Sequence, residues 1–267
     1  HFHGLSCLAH SQDISDYLIQ ADIGSYKRIT KGGPSGNILA GAGHFGLDHK
    51  DKSYGIAYVN DEHKMWIDVQ VTQHAGSDSD KWLLHEVDIE FRNYYGMPGY
   101  YIKTINGNTV YVFGAGGRDY RWLSGNKVIM IEYHDSQLTK PEPLEVIQAY
   151  LTKHPSTLPA ITMNELNSAA NKTKWIKDEM ERRLWLCDKW FMALQLGKAE
   201  QRTVLEEAGK SMGVFLDYRE KYYGIKAADE KNLLSNYLMQ NNGTGIKNKL
   251  TEYKNWWAAN KTKAISL

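Results

Sequence analysis

Three glycines, Gly114, Gly116 and Gly117, follow an apolar run in the stretch VFGAGGRDYRWLSGNKV (112–128). A loop that cradles phosphate needs its glycines between a strand and a helix, so that backbone N–H groups at the helix N-terminus meet the anion. Here the residues after the glycines alternate as a second strand would, so the stretch reads as the hinge of a hairpin. On that second strand Arg118, Tyr120 and Trp122 share one face, while Asp119, Arg121 and Leu123 take the other. The first three are the predicted ligand-contacting residues, because Tyr and Trp join apolar area to a hydrogen-bonding group in one side chain.

The segment 31–50 is rich in glycine and contains Gly41, Gly43 and Gly46 in dinucleotide spacing, without a strand before them or a helix after. It also holds His44, Asp48 and His49, which could give nitrogen and oxygen ligands to zinc or another divalent ion. No other cofactor is implied. His85-Glu86 lacks the second histidine of a zinc-protease helix, since Ile89 stands there, and Gly209-Lys210-Ser211 lacks the upstream glycine of a phosphate loop, since Val204 stands there. No G-x-S-x-G pentapeptide occurs. Cys187 falls on the apolar stripe of a helix and reads as a buried, inert thiol; the alternative is a disulfide with Cys7.

Composition narrows the classes further. The 267 residues carry 32 Lys plus Arg against 31 Asp plus Glu, a formal charge of +1, with no basic stripe of the kind a phosphate-tracking surface needs. Nucleic acid is therefore not expected as a partner. No run of eighteen apolar residues is present, so no transmembrane segment is expected and the chain reads as soluble. The aromatic surplus of 17 Tyr and 8 Trp, and the glycosylation-type triplets at Asn171, Asn242 and Asn260, favour an extracytoplasmic (secreted or periplasmic) protein.

The elements that must position these groups divide the chain in two. Residues 1–158 alternate and turn often: a short helix bearing Ile14, Leu18 and Ile19, a strand pair around 60–63, a helix from Ser77 or Ser79 to Gly96, four meander strands with turns at Asn106-Gly107 and Ser124-Gly125, and a helix ending at Pro155. That is an α+β domain, an antiparallel sheet with helices on one face. Residues 159–267 follow a helical period, with Ile176, Met180, Leu184, Cys187, Phe191 and Leu194 on one stripe, and predict a C-terminal all-α domain.

Since no catalytic constellation survives, the reading preferred is a non-catalytic binding or assembly protein that recognises a protein or surface polymer through aromatic surface between the two domains. The competing reading is a metal-assisted hydrolase with its site on the glycine-rich loop 31–50.

Overall fold

The computed structural model describes residues 14–29, 52–74, 78–84, 101–113, 119–135 and 142–267. Seven antiparallel strands form one sheet: β1 (Lys27–Arg28), β2 (Lys52–Asn60), β3 (Met65–Gln73), β4 (Tyr101–Ile105), β5 (Asn108–Phe113), β6 (Asp119–Ser124) and β7 (Lys127–Asp135). Their spatial order is β1-β2-β3-β7-β6-β5-β4, so the last meander strand returns to lie against β3. The α+β class with a helical C-terminal region is as the alternation and period predict.

Local chemistry sets the turns. Asn106 and Gly107 both take positive φ, 49° and 77°, as a type I′ hairpin requires. Between β6 and β7 the turn residues are Gly125 and Asn126, and positive φ occurs at Gly125 alone, the II′ pattern. The N-terminal segment differs from the helix its spacing predicts. Among its described residues, from Ile14 on, Ile14–Tyr17 forms a turn of 3-10 type, and Gly24 at φ 53° then reverses the chain between the bridged residues Ile23 and Tyr26. Ile14 and Leu18 reach the core from this part of the chain.

One face of the sheet buries Ile56, Tyr58, Ile67, Val69, Ile129 and Ile131 under α1 (Leu144–Lys153), which contributes Val146, Ile147, Tyr150 and Leu151. A closed ring of hydrogen bonds fastens the N-terminal segment there. The Ile19 N–H donates to Tyr150 Oη at 2.9 Å, the Tyr58 hydroxyl donates to the Ile19 carbonyl at 2.5 Å, and the two hydroxyls lie 3.0 Å apart, which leaves Tyr150 to donate to Tyr58. Burial raises the pKa of both phenols, that of Tyr58 to about 12.

The C-terminal region comprises a short turn α2 (Met163–Leu166) and four longer helices, α3 (Ala169–Gln195), α4 (Gln201–Tyr223), α5 (Ala228–Met239) and α6 (Gly243–Asn260). Ser168 caps α3 by accepting from the Asn171 N–H, and Gly224, at φ 71°, ends α4 in the left-handed conformation that glycine tolerates. Of the predicted stripe of α3, Ile176, Met180, Leu184, Cys187 and Phe191 are buried and Leu194 is half-buried, in a core shared with Met212, Phe215, Leu250 and Tyr253 of α4 and α6. Cys187 lies in this core as a free thiol, its pKa pushed up to about 12 by burial.

Candidate functional site

The aromatic edge expected on β6 is not displayed. Tyr120 and Trp122 are both fully buried, because β5 and β7 flank the strand and α1 covers the face to which they point. The Trp122 indole N–H donates to the His154 carbonyl at 3.0 Å, and Tyr120 lies 6.2 Å from Tyr133. Alternation separated the faces of β6 correctly, but the aromatic face is the one turned inward. Arg118, the predicted third member, lies outside the described residues, as do Gly114, Gly116, Gly117 and the proposed metal set His44, Asp48 and His49. Among the described residues no three His, Cys, Asp or Glu side chains converge as a metal site would require.

The opposite face of β6 meets a row of charges. Asp68, Glu132 and Asp119 stand directly opposite one another across β3, β7 and β6. Arg121 grips Asp119 through Nε and Nη2 at 2.9 and 2.5 Å; Asp68 accepts from the Trp66 indole at 2.7 Å and lies 3.1 Å from His134 Nε2. Burial raises the Asp119 pKa against the pull of Arg121. The Glu132 pKa is raised too, by burial first and by the Asp119 charge second; His134 Nε2 lies 4.0 Å from its Oε1.

Like charges facing each other across strands oppose pairing. Because Glu132 holds its proton more tightly in the folded state, its contribution to stability is complete below the unfolded value and is lost as pH rises through the folded one. Glu132→Gln is therefore expected to raise Tm at neutral pH. After discounting for the partial exposure of Glu132, the gain is about 0.5 kcal/mol, roughly 1–2 °C for a chain of this size. The gain should vanish near pH 4, about the unfolded value. Paired thermal melts across this range check it.

The helical residues 79–84 join the two halves of the protein. Ser79 fixes the turn by donating to the Asn126 carbonyl at 2.5 Å. Trp82 turns toward the helices, edge-on to Trp185 at 5.0 Å, and Asp78 forms a largely buried ion pair with Lys189 of α3. Leu83 turns the other way, onto Ile102, Tyr111 and Val128 of the sheet. The linker adds further ties: Ser156 Oγ donates to the Thr109 carbonyl at 2.7 Å and the Thr157 N–H to the Leu123 carbonyl at 2.8 Å.

Beside this junction runs a groove of about 570 Å³ between the turn 79–84, α3 and α6, with Trp185, Trp257, Lys254 and Lys261 on its walls. A second hollow of about 290 Å³ shares Asp80, Leu84, Lys174, Asp178 and Arg182 with it and has an apolar wall of Leu83, Leu158, Ile161 and Trp175. Beneath lies the fully buried Glu179, which accepts from Arg182 Nε at 3.0 Å and also pairs with Arg183. That carboxylate holds the Arg182 guanidinium in place. At the rim Lys174 pairs with Asp178, and Lys254 of α6 pairs with Asp188 of α3 at 2.6 Å.

Sequence reasoning missed this groove. Its one local signal is the spacing of Trp175, Asp178, Arg182 and Trp185, which puts them on a stripe of α3 adjacent to the core stripe. The asparagines of the three triplets make hydrogen bonds within the fold. Asn171 Nδ2 donates to the Glu165 carbonyl at 2.5 Å, Asn242 caps α6 through Gly245 N–H, and Asn260 Nδ2 donates to the Trp256 carbonyl at 2.6 Å. No helix among the described residues is long and apolar enough to cross a membrane. Comparison with protein families, curated proteins and solved structures finds no significant match.

Proposed function

We propose that the protein is a non-catalytic, extracytoplasmic binding or assembly protein, which takes a protein or a surface polymer into the groove between its sheet and its helices. The observation that carries this reading is the junction itself: a concave surface at the meeting of two units, with apolar walls and charges of both signs at its rim. Two of its acidic groups, Asp178 and Asp188, are tied to Lys174 and Lys254, an arrangement suited to recognition and not to nucleophile activation.

Lys174 and Lys254 are exposed, so reversing both charges leaves the core untouched. The double variant Lys174→Glu with Lys254→Glu is expected to keep Tm within about 2 °C of the parent, since surface substitutions away from core features cost little. It is also expected to lose whatever copurifies with the parent protein from its native source. Retention of that component by the folded double variant would contradict the groove as the binding surface. The subcellular fraction that yields the complex tests the compartment.

A further inference from the structure

We infer that the occupant of the groove is a peptide segment of a partner protein and not a saccharide polymer; this rests on the groove being the binding surface. A sugar ring binds a tryptophan by laying its apolar face flat on an open indole. The indoles of this groove are not open in that way. The ammonium groups of Lys81 and Lys189 lie over Trp185 at 5.6 and 5.7 Å, while Trp82 meets it edge-on. The Arg182 guanidinium lies over Trp175 at 5.8 Å. Trp257 is 5% exposed and packs edge-on against Phe215 and Tyr223, each at 6.4 Å. These rings shape the groove while their faces serve internal contacts.

What the groove leaves open is different in kind. The smaller hollow is walled by Leu83, Leu84, Leu158 and Ile161, which suit a branched aliphatic side chain. Among the described residues, Asp80 and Glu181, exposed on the groove, form no ion pair with a cation, and Lys261 at the α6 end forms none with a carboxylate. A cationic group is therefore accommodated at Asp80 and Glu181, an anionic group at Lys261, and an aliphatic anchor between the sheet and α3. A short stretch of polypeptide carries all three, whereas a neutral glycan carries none. Charge complementarity with one aliphatic anchor selects the peptide.

The test is fluorescence polarisation with a panel of labelled short peptides in which the spacing of one leucine, one lysine and one glutamate is varied, beside labelled hexamers of glucose and of N-acetylglucosamine. At least one peptide should bind saturably. Replacing its leucine by serine, or introducing Asp80→Lys in the protein, should weaken binding by about tenfold or more, and the hexasaccharides should give no signal. Asp80 is exposed, so its substitution leaves the fold intact. Binding of a hexasaccharide but of no peptide overturns the inference and leaves the groove reading standing. Binding of neither overturns it as well, while the groove reading stands if the Lys174→Glu, Lys254→Glu variant still loses its natural partner. Peptide binding that is indifferent to both Asp80→Lys and that double variant contradicts both claims.

Discussion

Trp122→Ala is expected to cost about 3–5 kcal/mol of stability, the range for deleting a buried aromatic side chain, and thus a large part of the total for a domain of ordinary stability. The ring is fully buried in the core that also holds Ile129, Ile147 and Leu151, and its N–H holds the carbonyl of His154 at the end of α1. Its loss opens a cavity and frees that carbonyl together. His154 in turn stacks on Tyr17 at 4.2 Å and reaches the Tyr17 carbonyl at 2.8 Å through Nε2, so the N-terminal segment should loosen as well. Denaturant unfolding followed by circular dichroism measures the loss. Had Trp122 been part of a displayed edge, the same substitution would change stability by no more than about 0.5 kcal/mol.

Glu179→Ala is expected to cost about as much, roughly 3–5 kcal/mol, by a different mechanism. Glu179 is fully buried and is the carboxylate that Arg182 and Arg183 share. Without it, two buried guanidinium groups on one turn of α3 repel each other in a medium that solvates them poorly. A buried ion cluster of this kind contributes little net stability when intact, yet is costly to break. Glu181→Ala, two residues along the same helix and exposed, is the control and should stay within about 0.5 kcal/mol of the parent. Denaturant titrations of both variants compare them directly. Because Arg182 lines both parts of the groove, any Glu179 variant that still folds should also bind the partner less well.

Much of the architecture was legible because it is local. The stripe Ile176, Met180, Leu184, Cys187 and Phe191 needed only the helical period, and Asn106-Gly107 needed only the turn that demands two positive φ values. The pairing of β3 with β7 was not legible. It joins strands more than fifty residues apart, and nothing in either strand names its neighbour.

The site was less legible than the fold, for a related reason. Alternation shows that Tyr120 and Trp122 share a face, but which face is buried depends on α1, some twenty residues downstream. The groove draws on residues near 80, 180 and 260, brought together only by the docking of the turn 79–84 between sheet and helices. Trp175, Arg182 and Trp185 show on sequence as a polar and aromatic stripe beside a core stripe, which is also how an ordinary solvent-facing edge of a helix appears.

The proposed partner sits in the groove between the sheet and the helices. The direct measurement is photo-crosslinking in the native source, with a benzophenone amino acid placed either at Lys261 in the groove or at Thr152 on the exposed side of α1. A covalent adduct to one partner is expected from position 261 and none from position 152. An adduct from 152, with none from 261 while the partner remains bound, would contradict it.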